Sequence, residues 1–239
     1  MITLEKALYL LPVGISDAPL SDVLPSGNIE LIRSLKCFIV ENLRTARRFL
    51  KKVDPGFDIG GATFFELNEH TDPRNISSFL EPLRKGVPTG VMSEAGCPAV
   101  ADPGSLVVEM AWREGLRVIP LVGPSSILMS LMASGFNGQG FSFHGYLPIE
   151  EPRRAKTLRD LESDSARKGM TQIFIEAPYR VDKMLAFMLK TLRGDTKICV
   201  ACDVTDPENE RIVVRTVSQM KKDTPVFGKR PAIFLIYAR

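Results

Sequence analysis

The sequence predicts an α/β protein in which both halves are α/β, and three observations lead to this prediction. Short apolar runs alternate with segments of helical period along the whole chain. Residues 88–126 have the pattern strand, Gly/Pro loop, helix, strand, Gly/Pro loop, which is a βαβ unit with parallel strands. The length of 239 residues suffices for one large or two small domains with proper cores.

The first half opens with a buried strand and a long loop. Residues 7–11 are apolar and are followed by Pro12 and Gly14, as is typical of a buried parallel strand. Residues 16–28 are polar and interrupted by proline, which predicts a loop at the carboxyl end of this strand. The next patterns predict a helix, a strand, a basic helix, a strand and a helix at residues 29–35, 37–40, 45–52, 63–67 and 75–85.

The βαβ unit follows, with its first strand inside residues 87–92 and its second at 117–122. Asp102 is predicted to cap the helix between them, with Pro103 as the first helical residue and Gly115 at the end. One face of this helix is apolar and consists of Leu106, Val107, Met110 and Ala111. Because the strands are parallel, we expect the loops that follow them to lie side by side, at the sheet edge where α/β proteins bind ligands.

The second half repeats the alternation of helices and strands. A helix with an apolar face at Ile127, Leu128, Leu131 and Met132 is expected to end at Gly135. The remaining segments are predicted helices at residues 152–168 and 179–192, and predicted strands at 141–143, 171–175, 198–204, 212–217 and 231–237.

Composition indicates a soluble globular protein, with 44% hydrophobic and 25% charged residues. A net charge of +3 permits an RNA partner without indicating one. The N-terminus has no signal-peptide pattern, and no apolar run reaches membrane-spanning length. We therefore predict a cytoplasmic protein with no membrane contact.

The sequence does not favour a metal site. Cys199 and Cys202 have C-x-x-C spacing, but residues three apart on a strand point to opposite faces, and no second close pair exists. The interpretation favoured is four structural thiols, at Cys37, Cys97, Cys199 and Cys202. Walker A, Gly-x-Ser-x-Gly, His-Glu-x-x-His and Rossmann glycine patterns are absent from the sequence.

Four segments resemble a known family. SEAGCPAVADPG at residues 93–104 is similar to the SDAGTPLISDPG-type loop of the tetrapyrrole-methylase superfamily, and VIPLVGPSS at 118–126 resembles its PLPGPS element. FSFHGYLP at 141–148 and TQIFIEAPYRV at 171–181 resemble two further segments, in the same order. The nearest branch methylates a ribose 2′-hydroxyl in small-subunit ribosomal RNA.

The resemblance implies a tetrapyrrole methylase-like fold with domains at residues 1–124 and 125–239. It implies a largely parallel first sheet, a mixed second sheet and S-adenosylmethionine in a cleft between the domains. It also implies a homodimer whose partner is ribosomal RNA or the small ribosomal subunit. Two alternatives stay open, namely methylation of a tetrapyrrole or other small molecule, and a non-catalytic module that binds S-adenosylmethionine or RNA.

The chain departs from the family pattern mainly on the acceptor side. The family's P-T-P-I-G-N is LPVGIS here, A-E-D-T-R is VENLR at residues 40–44, and R-E-L-T-K is replaced by CDVTD at 202–206. Glu94 stands where the family loop has Asp.

The cofactor-binding residues expected from the resemblance lie in the glycine loops and in one segment of the second domain. They are Pro12, Ser93, Glu94, Ala95, Gly96, Cys97, Ala101, Asp102, Pro103, Gly123, Pro124, Ser125, Ser126, Glu176 and Ala177. Gly96 and Gly123 are expected to let backbone approach the ligand closely, because they lack a Cβ. For Asp102, contact with the ligand and helix capping remain equally open.

Glu41 and Arg44 follow the second strand and face the same sheet edge. One interpretation is an exposed helix start with a favourable acidic residue. The functional interpretation makes Glu41 a general base and Arg44 an anchor for phosphate or substrate.

Basic residues form two clusters, each a short way after a loop at the predicted ligand edge. Such clusters are usually solvated surfaces, but they also suit RNA phosphates. The members are Arg44, Arg47, Arg48, Lys51 and Lys52 in the first cluster, and Arg153, Arg154, Lys156 and Arg159 in the second.

Overall fold

The structure is a computed structural model that describes residues 4–239. The chain divides into two compact units, the first ending at Ser125 and the second beginning at Ser126. In the described part of the chain, no helix is long and apolar enough to span a membrane.

The first unit alternates strands with helices, as predicted. Its elements are β1 (Leu8–Leu10), α1 (Leu20–Val23), α2 (Ser26–Ser34), β2 (Cys37–Val40), α3 (Leu43–Val53), β3 (Thr63–Glu66), α4 (Pro73–Ile76), a 3-10 helix (Ser77–Leu80), α5 (Glu81–Arg84), β4 (Thr89–Met92), α6 (Gly104–Arg113) and β5 (Val118–Pro120).

The first sheet is entirely parallel, in the order β3-β2-β4-β1-β5. Successive side chains of β2 point to opposite faces, so Phe38 and Ile39 enter two separate cores. The Phe38 core contains Leu50 of α3, and the Ile39 core contains Val107 of α6. The sheet is therefore covered on both faces, which explains why its central strands β1, β2 and β4 are buried and largely apolar.

The second unit carries a mixed sheet. Its elements are α7 (Ser126–Ser134), β6 (Phe141–Tyr146), α8 (Glu151–Lys168), β7 (Thr171–Glu176), a 3-10 helix (Pro178–Arg180), α9 (Val181–Thr191), β8 (Lys197–Cys202), β9 (Arg211–Thr216), α10 (Val217–Lys222) and β10 (Ala232–Tyr237). The strand order is β6-β7-β10-β8-β9, in which only β6 and β7 run parallel.

The core of the second unit lies between this sheet and helices α8 and α9. Phe174 of β7 stacks on Phe234 of β10, with ring centroids 5.2 Å apart. Glu162 of α8 is buried, and its carboxylate accepts hydrogen bonds from the Thr196 hydroxyl and the Arg193 N–H. These bonds satisfy a charge that would otherwise be costly to bury.

Several sequence predictions need correction. Residues 16–28 are not one loop, because α1 lies within them and α2 begins at Ser26; Pro19 and Pro25 stand just before these helices and so do not break them. Residues 75–85 do not form one helix, because the chain tightens into a 3-10 helix ahead of Pro82. Helix α10 was not predicted.

Two predicted apolar faces also differ from those observed. Val107 and Ala111 of α6 are buried, but Leu106 is 45% exposed. Leu131 of α7 is buried, whereas Met132 is 80% exposed.

The four cysteines are free thiols, of which all but Cys97 are buried. Burial raises the pKa of Cys199 to about 12 and that of Cys202 to about 12, so both thiols keep their protons. Within residues 4–239, no group of three or more His, Cys, Asp or Glu side chains is arranged to hold a metal ion.

Candidate functional site

Three loops meet at the carboxyl edge of the first sheet, after β1, β4 and β5. The Val13 N–H donates to the Gly96 carbonyl at 3.0 Å, which joins the first two loops. The Cys97 thiol donates to the Pro124 carbonyl at 3.4 Å, which joins the second loop to the third. Strands β4 and β5 are not neighbours, because β1 lies between them, yet their loops still meet.

The two glycines that were expected to admit a ligand have different surroundings. A Cβ on Gly123 would lie 2.1 Å from the Cβ of Pro12, so this position must be glycine for the first and third loops to pack together. Gly96 has φ +72°, and a Cβ at this position would lie 3.3 Å from Cγ2 of Ile15 and 3.5 Å from the Pro124 carbonyl oxygen. Packing against Pro12 thus accounts for the glycine at position 123, and the expected ligand contact there stays a prediction.

The loop after β4 holds strained backbone. Ala99 and Ala101 have φ values of 66° and 60°, in the left-handed region that residues with a Cβ rarely adopt. Each such residue costs about 1–2 kcal/mol, and this kind of strain clusters at functional sites. The strain supports a functional role for residues 93–104.

Asp102 uses one carboxylate oxygen and leaves the other without a partner. Helix α6 begins at Gly104, one residue later than predicted, and Pro103 takes the cap position. Asp102 Oδ1 accepts from the Gly104 N–H at 2.6 Å, whereas Oδ2 is buried with no hydrogen-bond partner. Burial raises the pKa of this carboxyl group. The two interpretations of Asp102 are therefore compatible: Oδ1 accepts from the start of α6, and Oδ2 remains able to accept from a ligand.

Glu41 joins two of the strand ends. Its Oε2 accepts from the Glu94 N–H at 2.9 Å, and its own N–H donates to the Met92 carbonyl. Burial raises the pKa of Glu41, and the nearby charges of Asp102 and Glu94 raise it further. Glu41 is not the helix cap; Asn42 caps α3 by accepting from the N–H groups of Arg44 and Thr45.

The remaining predicted residues are divided between the two units. Ser93 donates to the Ala95 carbonyl, and Arg44 is exposed on α3. Ser125 ends the first unit and Ser126 begins α7 of the second. Glu176 and Ala177 belong to the second unit, where Glu176 Oε1 accepts from the Ala177 N–H at 2.7 Å and from Arg180 Nε at 2.9 Å.

Beside the three loops lies a cleft of about 170 Å³, here called the α3 cleft. Its cationic side chains, Arg48 and Lys52, are four residues apart on one face of α3, a spacing that is visible in the sequence. Residues 16–28 were predicted to be a loop at this edge, and Ser16 and α1 residue Leu20 of that segment do line the cleft. The full lining is Val13, Gly14, Ser16, Leu20, Thr45, Ala46, Arg48, Phe49, Lys52, Ser93 and Glu94.

The chain is similar to curated proteins named ribosomal RNA small subunit methyltransferase I. It is 30% identical to that of Thermotoga maritima over 84% of this chain and 91% of the relative. It is also 30% identical to that of Bacillus subtilis, over 89% of this chain and 68% of the relative. The Vibrio cholerae relative is again 30% identical, but the match spans only 65% of its length. No family model matches the chain.

Solved structures with the same fold include the methyltransferase CobJ, with a TM-score of 0.63 and 17% identity over 97% of this chain and 93% of that one. Diphthine synthase has a TM-score of 0.65 and 16% identity over 97% of this chain and 90% of that one. These likenesses confirm the predicted tetrapyrrole methylase-like fold with two α/β domains.

Proposed function

The chain belongs to the ribosomal RNA small subunit methyltransferase I family, and on that premise we propose that it methylates a ribose 2′-hydroxyl in small-subunit ribosomal RNA with S-adenosylmethionine. The observation that carries this proposal is the electrostatics of the first sheet's carboxyl edge. The carboxylates of Glu41 and Asp102 lie close together at the strand ends, and neither has a cationic partner in the described part of the chain. The basic side chains of the adjacent helix α3 likewise have no acidic partner there.

The strand-end loops suit a cationic cofactor. Glu41 and Asp102 have raised pKa values because they are partly buried, and Glu94 adds negative charge to Glu41's surroundings. A nearby positive charge would relieve this cost, and Asp102 Oδ2 has a free acceptor site. When bound, S-adenosylmethionine supplies an electrophilic methyl group on a sulfonium centre.

The residues that would hold the cofactor are the ones predicted from the sequence. In the first domain, residues 1–124, they are Pro12, the loops at 93–97 and 101–103, and Gly123 with Pro124. In the second, residues 125–239, they are Ser125, Ser126, Glu176 and Ala177, the last two toward the adenine end. The two compact units differ from these proposed domains by a single residue, which supports the division.

Glu41 is the proposed general base. A carboxyl group with a raised pKa accepts a proton more readily than an ordinary one, which suits removal of the proton from a ribose hydroxyl. The hydrogen bond from the Glu94 N–H orients the Glu41 side chain. The exposed Arg44 would anchor a phosphate at the rim, and the remaining work of the site is alignment and exclusion of water.

The proposal includes a cytoplasmic homodimer. Its substrate, the small ribosomal subunit, is in the cytoplasm. Two large apolar side chains four residues apart on α7, Leu128 and Met132, are exposed, and this apolar face supports a contact between two copies. Light scattering at micromolar concentration tests this part, and a monomer would contradict it.

The product identifies the reaction. Purified protein is incubated with methyl-labelled S-adenosylmethionine and small ribosomal subunits, and the RNA is then hydrolysed in alkali. A 2′-O-methyl product is expected as a labelled dinucleotide, because the methylated oxygen can no longer attack the neighbouring phosphodiester. Label found only on a small-molecule acceptor, or no transfer at all, would overturn the proposal in favour of the two alternatives left open by the sequence.

A further inference from the structure

The α3 cleft is too small for a whole cofactor. Ligand pockets usually measure about 300–1,000 Å³, whereas this cleft measures about 170 Å³. It therefore suits one group of a larger ligand. Its walls come from the β1 loop, α1, α3 and residues Ser93 and Glu94, all within the first unit.

The cleft is lined by two cations, Arg48 and Lys52, and by one acidic residue, the exposed Glu94. Lys52 Nζ donates to the Ala18 carbonyl at 3.1 Å, which positions the ammonium group without neutralising it. Arg48 is exposed, and neither Arg48 nor Lys52 forms an ion pair within residues 4–239. An anion would gain two charge-assisted contacts here.

Hydroxyl groups of the cleft already have partners. Thr45 Oγ1 donates to the Asn42 carbonyl at 3.1 Å, and Ser93 Oγ donates to the Ala95 carbonyl at 3.1 Å. Recognition in the cleft therefore depends mainly on Arg48 and Lys52, and the preferred group is an anion such as a phosphate.

The cleft borders the proposed base. Glu94 lines the cleft, and its N–H is the group that donates to Glu41 at 2.9 Å. In RNA, each 2′-hydroxyl neighbours the phosphate on its own ribose. A phosphate held beside Glu94 thus brings a ribose toward Glu41.

We propose that the α3 cleft seats a backbone phosphate of the RNA substrate, next to the methylated ribose, through Arg48 and Lys52. This inference rests on the proposed function. The cofactor also carries an anion, its carboxylate, but the cations continue along α3 beyond the cleft to Arg44, Arg47 and Lys51. A row of five cations suits the repeated phosphates of an RNA strand better than the single carboxylate of the cofactor.

The test compares Arg48→Gln and Arg48→Gln/Lys52→Gln with a control of equal charge change, Arg167→Gln/Lys168→Gln on α8. Both control cations lie outside the two basic clusters and are paired with Asp164, at 2.6 and 3.1 Å respectively. Within residues 4–239 no side-chain hydrogen bond or ion pair involves Arg48, so its single variant guards against misfolding of the double variant. Fluorescence anisotropy measures binding of a labelled single-stranded RNA across salt concentrations, and calorimetry measures binding of S-adenosylmethionine.

We expect each cleft substitution to lower the slope of log affinity against log salt by about 0.7, and to weaken RNA binding about fivefold near 0.1 M salt. With small ribosomal subunits, KM should rise by a similar factor while kcat and cofactor affinity stay unchanged. The control should match the unsubstituted protein.

Two results would overturn the proposed phosphate site in the α3 cleft. The cleft variants would behave like the control, or they would lose affinity for the cofactor while still binding RNA normally. The second result would assign the cations to the cofactor carboxylate. If the unsubstituted protein methylates no RNA and yet binds it with a salt dependence of affinity that Arg48→Gln lowers, this result would support the phosphate site and contradict the proposed function. If RNA is methylated and the cleft variants match the control, the proposed function is supported and the phosphate site is contradicted.

Discussion

The two basic helices, α3 and α8, use their charge differently. Helix α8 places carboxylates near its cations, so that Lys156 pairs with Asp160, and both Arg167 and Lys168 pair with Asp164. Helix α3 carries five cations and no acidic residue, and none of the five forms an ion pair in the described part of the chain.

This difference separates charge that stabilises the fold from charge available to a ligand. Opposite charges at i,i+4 stabilise a helix by about 0.2–0.5 kcal/mol per pair, and like charges destabilise it by a similar amount. On α3, Arg44 and Arg48, Arg47 and Lys51, and Arg48 and Lys52 are like pairs at this spacing. The helix therefore depends on its cap and its packing, and an external anion would relieve its repulsion.

The largest expected effect concerns packing. Leu50 is fully buried against the sheet, so Leu50→Ala should lower the free energy of unfolding by about 2–5 kcal/mol, measured by urea denaturation with circular dichroism. Arg48→Ala, on the same helix but exposed, should change it by less than about 0.5 kcal/mol. Equal losses from both substitutions would mean that α3 depends on its charge.

The cap of α3 comes next. Asn42→Ala should cost about 1 kcal/mol, because two N–H groups lose their acceptor. The corresponding residue of α8, Glu150, makes no side-chain capping bond, so Glu150→Ala should cost less than half as much. Thermal unfolding measures the loss of stability in both variants. Equal losses for Asn42→Ala and Glu150→Ala would contradict a special role of the Asn42 cap.

Single charges should have small effects of opposite sign. Arg48→Gln should stabilise the protein by about 0.2–0.5 kcal/mol, because it removes repulsion from Arg44 and Lys52. Asp164→Asn should destabilise it by a comparable amount, because Arg167 and Lys168 lose their partner. Salt at about 1 M should reduce both changes in the free energy of unfolding, because it screens the charges. If both substitutions stabilise the protein in low salt, or both destabilise it, the account is contradicted.

The smallest expected effect is the pH dependence from Glu41. Its raised pKa means that the folded protein binds this proton more tightly than the unfolded chain, so the contribution to stability is present at low pH and lost as pH rises through the raised pKa. Glu41→Gln should therefore raise Tm slightly at pH 8, measured by thermal unfolding. Without ligand, this gain should fade toward pH 4, and a gain that grows on acidification would contradict the sign.

Much of the fold followed from the sequence because its signals are local. The bounds of β2 were predicted as observed, and Gly115 ends α6 with φ +68° as expected. The position of β1 between β4 and β5 was not predicted, because strand order depends on pairing between distant segments.

The site was predicted in part, for a similar reason. The loops at residues 93–104 and 123–126 could be identified from their composition, but the contact of Gly123 with Pro12 depends on residues more than a hundred positions apart. Nor could the pattern show that Lys156, Arg167 and Lys168 of α8 are paired while the described cations of α3 are not, because pairing depends on side-chain geometry.

The central claim is that carboxylates at the strand ends perform the chemistry while α3 binds the RNA. Single-turnover transfer from methyl-labelled S-adenosylmethionine to small ribosomal subunits tests it most directly, using Glu41→Gln and Arg48→Gln beside the unsubstituted protein. Glu41→Gln should bind RNA normally and slow transfer by about a hundredfold or more, whereas Arg48→Gln should transfer at the normal rate once saturated. Full-rate transfer by Glu41→Gln, or a saturated rate that falls with Arg48→Gln, would contradict the account.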